Sequence, residues 1–148
     1  MPSVEIVRFV KFDPFAVVPK YQTEGSAGAD LTYCGKDITI PPGERYLATT
    51  GIGLELPKGT EGQIRSRSGL ALKNGVHVLN SPGTIDSDYR GEVKVLLHNS
   101  SPVPFELLHG QRIAQLVISQ YTVGVFREVQ SIDSTGRGHG GFGSTGEK

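Results

Sequence analysis

Apolar residues in this chain come in short runs with a period of two, and no window sustains the 3.6-residue period of a helix of ordinary length. Residues 4–10 place Val4, Ile6 and Arg8 on one side and Glu5, Val7 and Phe9 on the other, which predicts a first strand at an edge or an interface, since both faces carry apolar groups. Ile38 and Ile40 form a short strand closed by Pro41-Pro42-Gly43. Residues 46–56 read as a longer extended run whose glycines, Gly51 and Gly53, mark a bulge or a close backbone approach. Residues 113–118 and 123–129 are rich in β-branched side chains and read as the last two strands. With 20 glycines and 9 prolines between these runs, the expectation is an all-β sandwich or barrel.

The most informative stretch is 74–97, NGVHVLNSPGTIDSDYRGEVKVLL. Val76 and Val78, then Val93, Val95 and Leu97, repeat the strand period on either side of a polar centre. A half-buried ribbon whose middle is not committed to the core is the expected structure. Asp86 and Asp88 stand at i and i+2 there, and on a regular strand they would share a face and repel unless a metal, a base role or solvent compensated. This segment is the first place to look for chemistry.

Other polar groups have two readings each. Asp30 follows the small residues 25–29, where a loop enters a strand, and is either a solvated turn acid or a functional one. Arg65 and Arg67 alternate with Ser66 and Ser68 ahead of Gly69; forked guanidinium donors, hydroxyls and nearby backbone N–H groups make an anion site, and a surface strand with solvated arginines is the alternative. Ser68 could cap a short helical turn stopped at Asn74-Gly75, and an anion above that turn would meet its free N–H groups. Gln115, among Ala114, Leu116 and Val117, calls for an exposed face or a specific partner. His98 and His109 lack the companions of a metal site and read as structural or solvated. From Ser131 the hydrophobic pattern stops, which predicts a disordered tail. Yet Arg137, Phe142, Ser144 and Thr145 lie among its glycines, the materials of a phosphate nest with one aromatic to stack on a base; no Walker GKS or GKT occurs.

Composition narrows the partners. The 148 residues suit one domain with a core of its own, and 15 basic against 15 acidic side chains give no field for nucleic acid or an anionic membrane. A single cysteine, Cys34, excludes a disulfide framework and is expected to be a small buried residue. No apolar run reaches a membrane span and the N-terminus lacks a signal-peptide order, so an intracellular, cytoplasmic protein is expected.

Five segments together resemble the homotrimeric dUTPase family, the dUTP nucleotidohydrolases, in order and spacing: AGADL at 27–31, RSGLA at 67–71, NSPGTIDSDYRGE at 80–92, GQRIAQL at 110–116 and RGHGGFGSTG at 137–146. The resemblance implies a jelly-roll-like distorted β-barrel over residues 1–130, with one short helical turn, and a flexible glycine-rich arm over 131–148 that closes over an active site. It implies a homotrimer with three sites at subunit interfaces and hydrolysis of dUTP to dUMP and pyrophosphate. Asp86 would activate the water that attacks the α-phosphorus. Asn80 would lie near the uracil and Tyr89 against the deoxyribose. Arg67, Ser68, Gly69 and Gln115 would hold the phosphates. Phe142 would stack on uracil, with Arg137, Gly143, Ser144 and Thr145 around the γ-phosphate. Mg²⁺ would be held mainly by the phosphates, with Asp30 touching its water shell. Asp88 reads as structural or as a positioning group, and Arg65 and Arg90 as solvated or interface groups. The chain departs from the family at Ala29, often larger, and at Ser66, often proline; neither change removes a proposed functional group.

Two rivals follow from the same residues. A dCTP deaminase of the same superfamily, with or without a bifunctional triphosphate hydrolysis, would need a further acid–base carboxylate at the pyrimidine, and the ribbon offers no extra glutamate for it. A non-catalytic nucleotide-binding trimer has no need of Asp86 beside the α-phosphate. A capsid-like structural protein leaves the arginines and the glycine-rich end unexplained.

Overall fold

The computed structural model describes residues 3–148. Among them are ten strands and one helix: β1 Arg8–Lys11, β2 Ala29–Thr32, β3 Ile38–Ile40, β4 Arg45–Glu55, β5 Thr60–Arg65, α1 Ser68–Asn74, β6 Val76–Val78, β7 Gly83–Ile85, β8 Glu92–Asn99, β9 Phe105–Leu107 and β10 Arg112–Gln120. All pairings are antiparallel, in two four-stranded sheets ordered β1-β4-β8-β6 and β2-β10-β5-β7 and a two-stranded sheet β3-β9. This is the jelly-roll-like β architecture expected from the sequence.

Period-two burial builds the core. On β8 the residues Val93, Val95, Leu97 and Asn99 point inward while Lys94, Leu96 and His98 point outward. They join Val76 and Val78 of β6, Ile64 of β5, Ile85 of β7, Leu107 of β9 and Leu116 of β10 in one apolar cluster that draws on all three sheets. Asn99, with no exposed surface, is the polar member of the inner row. Its Nδ2 donates to the carbonyls of Ile40 and Val103 at 2.9 and 2.8 Å, and its Oδ1 accepts from the Ser101 N–H at 3.0 Å. One amide thus closes the end of β8 onto the end of β3, leaving none of its polar capacity stranded in a dry site.

Several expectations need correction. The first strand starts at Arg8 rather than Val4, and Val4 and Ile6 are exposed; as an edge strand, β1 has only β4 to pair with. The ribbon expected over 74–97 forms in its two arms, with Val76 opposite Asn99 and Val78 opposite Leu97 where β6 pairs with β8, but its polar middle bridges two sheets, since β7 pairs with β5. No strand forms over 123–129 among the described residues; Val123, Val125 and Phe126 are exposed and pair with no sheet edge of their own chain. The cysteine expectation holds, with Cys34 buried and burial raising its thiol pKa. Burial and the Tyr46 hydroxyl likewise push the Tyr33 phenol up.

The irregularity expected at Gly51 is a register shift between Thr49 and Gly53 where β4 faces β8. Gly51 sits at φ +69°, and a Cβ there would lie 2.9 Å from the Ala16 Cβ and 3.1 Å from the Asp13 Cβ. Its N–H donates to Glu92 Oε1 at 2.8 Å. Gly51→Ala meets both a left-handed backbone and a steric block, and should destabilise the chain by about 2–4 kcal/mol, read as a lower urea midpoint at unchanged slope.

Candidate active site

The basic side of the site rests on the centre of the second sheet. Gln115 of β10 lies directly across from Asp30 on β2 and from Arg65 on β5. Asp30 is buried within a wholly buried strand, which removes the solvated-turn reading. Its carboxylate accepts from Arg112 Nη1 at 2.9 Å and faces Arg67 Nε at 3.6 Å, and Arg67 Nη1 donates to the Arg112 carbonyl at 3.1 Å. A buried carboxylate is tolerated only with such partners. The two arginines stay partly exposed, so their remaining donors face outward. Asp30 and Arg112 also line a cavity of about 260 Å³ with Lys20, Thr32 and Gly110.

The strand irregularity at the start of β10 shapes this cluster. A register shift between Arg112 and Ala114 leaves Ile113 and Ala114 both buried, after which Gln115 emerges half-buried. Its side chain runs over Gly28, where a Cβ would lie 2.9 Å from the Gln115 Cβ and 3.3 Å from its Oε1. The specific neighbour that Gln115 required is therefore a glycine backbone on one side and the Asp30 strand on the other.

At the end of β5 the chain turns into α1. Arg67, with extended backbone at φ −84° and ψ 126°, occupies the N-cap position, and no side chain caps the helix. The capping role expected of Ser68 is thus not met: Ser68 is the first helical residue, and its exposed hydroxyl is left to other partners. Gly69 beside it is exposed, and Gly75 ends the helix in the left-handed region at φ 65°. Leu70 alone anchors this short helix in the core.

The acidic turn is built separately. After β6, exposed Asn80 opens a turn to β7, and a Cβ on Gly83 would stand 3.3 Å from Asn80 Nδ2. Beyond Ile85 the chain leaves the sheet, and the Tyr89 N–H donates to the Asp86 carbonyl at 3.1 Å. Asp86 and Asp88 are therefore on a turn, both exposed, rather than paired on one strand face. The Tyr89 hydroxyl donates to the Glu92 carbonyl at 2.9 Å, and its ring lies over Gly91, whose Cβ would come within 2.6 Å of the Tyr89 Cζ. Arg90 Nη1 turns back to the Ser87 carbonyl at 2.7 Å, a local role.

These two groups are not adjacent in one chain. Ile85 pairs with Gly62, and Arg67 lies beyond the other end of β5. At ~3.3 Å per residue, Asp86 and Arg67 are separated by roughly 15 Å or more. The structure thus brings Asp30, Arg67 and Gln115 together, and Asp86 with Tyr89, but does not join the two clusters. Arg137, Phe142, Gly143, Ser144 and Thr145 lie in a succession of local turns, and Arg137 Nε donates to the Gly140 carbonyl at 3.0 Å. Phe142 is fully exposed at φ 48° and touches neither cluster.

His98 and His109 are structural. His98 Nδ1 and His77 Nε2 share a hydrogen bond of 2.9 Å across β8 and β6, and His109 packs edge-on against Phe15, its Nδ1 at 3.0 Å from the Gly35 carbonyl. Among the described residues no group of three or more metal-ligating side chains occurs, so the chain offers one buried carboxylate rather than a cage. Sequence reasoning missed Arg112, Gly28 and Gly91. Arg112 had a signal, a guanidinium next to Gln115 in GQRIAQL; the two glycines had none, because each is required only by the side chain the fold lays across it.

Comparison with known proteins bears on the family and the fold. The family model described as dUTPase matches residues 15–146. The deoxyuridine 5'-triphosphate nucleotidohydrolase of Wolinella succinogenes is 53% identical over 141 residues, spanning 95% of this chain and 94% of its own. A mutant dUTPase of Staphylococcus bacteriophage 80alpha with dUpNHpp superposes with a TM-score of 0.89 at 22% identity, covering 97% of this chain and 99% of that one. A mutant dUTPase from phage phi11 of S. aureus, described with a structural Mg(II) ion, gives a TM-score of 0.80 at 19% identity over 88% of this chain and 100% of that one. With a family match across nearly its whole length, and a relative identical at more than half its positions, this chain belongs to the dUTPase family.

Proposed function

We propose that the protein hydrolyses dUTP to dUMP and pyrophosphate in a composite site made by three copies of the chain. The observation that carries this is the separation within one chain of the Asp86–Tyr89 turn from the Asp30–Arg67–Gln115 cluster. A water on the α-phosphorus and the groups that hold the adjacent phosphates must lie within a few ångströms of each other, and a second copy that sets its acidic turn beside the first copy's cluster satisfies this. Family membership supports the homotrimer, and the unpartnered segment 123–129 with the outlying arm supports closure by the residues of another copy.

In this reading the Asp86 carboxylate, presented at a turn and not tied down by a side-chain ion pair among the described residues, orients the attacking water and takes its proton. The water oxygen bonds to the α-phosphorus, and the bridge to the β-phosphate breaks with its electron pair leaving on pyrophosphate. Arg67, Ser68, Gly69 and Gln115 neutralise and align the phosphates, which is where most of the barrier is lowered in phosphoryl transfer. Asn80 meets the uracil edge. Tyr89, folded over Gly91, lies flat against the sugar and leaves a 2′-hydroxyl neither room nor a partner. Phe142 stacks on uracil, and Arg137, Gly143, Ser144 and Thr145 close on the γ-phosphate, excluding bulk water.

Magnesium fits this donor set in one way. The Asp30 carboxylate is buried and already shared by two arginines, so it suits a water-bridged contact at the wall of its cavity rather than inner-sphere ligation. The ion, held by the phosphates, would supply charge neutralisation and fix the triphosphate's shape. The charge balance points to no nucleic-acid partner, and no helix among the described residues is long and apolar enough to cross a membrane. A cytoplasmic location is the accompanying proposal.

Incubation with Mg²⁺ and dUTP, dCTP, dTTP or UTP in turn, with products separated by anion exchange, should give dUMP and pyrophosphate from dUTP alone. Conversion of dCTP would favour the deaminase, and silence with all four would leave only the non-catalytic trimer. Asp86→Asn should lower kcat by about 10²-fold or more while dUTP is still bound. Composite sites predict complementation. Asp86→Asn and Arg67→Ala chains, each nearly inactive, should recover activity when unfolded together and refolded as mixed trimers, whereas sites contained in one chain would gain nothing.

A further inference from the structure

Strand β6 is the outermost strand of its sheet, with β8 on one side and no strand on the other. The Leu79 N–H donates to the Leu96 carbonyl at 2.9 Å, so by alternation along an antiparallel pair the Val78 N–H points away from β8. Val78 is buried, and an unpaired N–H there would be costly. It finds the Ser66 Oγ at 2.9 Å. Ser66 stands between β5 and α1, immediately before Arg67 and Ser68, and the Val78 carbonyl accepts from the Ser81 N–H at 3.3 Å in the turn that carries Asn80.

We propose that Ser66 is a positioning residue whose hydroxyl bolts the phosphate-binding turn to the pyrimidine-facing turn after β6, setting the placement of Arg67–Ser68 and of Asn80 together. The inference rests on the site residues of the functional reading above. The link joins the end of one sheet to the edge of the other at a point where β6 and β5 share no strand pairing. One oxygen acts where a ladder of backbone bonds would otherwise be needed. Ser66 itself touches no reacting atom; its effect is carried by the backbone of Val78 and by its own peptide neighbours.

The test uses the full chain with Ser66 replaced by Ala, by Cys, a poorer acceptor of similar size, and by Thr, which keeps the oxygen. Steady-state kinetics with dUTP, calorimetric titration with dUMP, and hydrogen exchange of the 76–81 segment are read in parallel. Ser66→Ala should raise KM and weaken dUMP binding by about three- to tenfold, with kcat held within about twofold, and should speed exchange at Val78. Cys should fall between Ala and wild type, and Thr should restore all three readouts. Unchanged KM and dUMP affinity in Ser66→Ala, with only the melting temperature lowered, would overturn the positioning role and leave a structural hydrogen bond. Failure of Thr to restore KM would also overturn it. A wild-type protein that neither binds dUMP nor hydrolyses dUTP would instead remove the functional reading, and this inference with it.

Discussion

The buried carboxylate of Asp30 is the constraint on which the site depends. Taking one charge out of water at the centre of a sheet is unfavourable by several kcal/mol unless strong partners compensate, and here two guanidiniums do so from different elements, Arg112 at the start of β10 and Arg67 at the end of β5. The demand for compensation fixes where both arginines sit. Because each uses only part of its donor fork on Asp30, the same cluster that satisfies the carboxylate leaves a rigid positive surface facing outward. In the proposed function a substrate with several phosphates would meet donors that are already aligned and need little reorganisation on binding.

Around that cluster, irregularities of the sheet do the shaping. The register shift in β10 turns Gln115 out of the core, and Gly28 gives its side chain room to lie against the backbone. A second shift, in β4 at Gly51, brings the strand past Ala16 and Asp13 at a separation only glycine tolerates. At the acidic turn, Gly91 lets the Tyr89 ring fold flat. In each case a side chain with a role is held by a glycine elsewhere, so these glycines act through contact geometry more than through local flexibility.

Division of the polar stretch 74–97 between two sheets ties the site to the fold. Strand β6 belongs to the sheet of β8 and strand β7 to the sheet of β5, so the turn between them, with Asn80, spans the two sheets, and Asp86 emerges at the far end of β5 from Arg67. Asp86 and Arg67 thus stand at opposite ends of β5, and in the proposed mechanism the two clusters would meet only across copies of the chain.

The sequence by itself determined the class of fold and the family. Period-two burial is a local property, readable wherever one strand face meets the core, as in Val93, Val95 and Leu97. The motif residues are chemically distinctive, and their order along the chain survives folding. The sequence left Asp30 between a turn acid and a functional group, offered a cap to Ser68, did not show that β7 leaves the ribbon of β6 and β8 for the other sheet, and drew a strand over 123–129. Each of these depends on what lies across a gap in space: the arginines that make burial of Asp30 tolerable, the backbone that meets Ser68, the sheet each strand joins, and the edge that 123–129 does not find in its own chain. Arg112, Gly28, Gly91 and the Ser66–Val78 bond became visible only in the tertiary structure for the same reason. Their roles are contacts between residues far apart in sequence, and alternation along a strand carries no information about which distant backbone will arrive there.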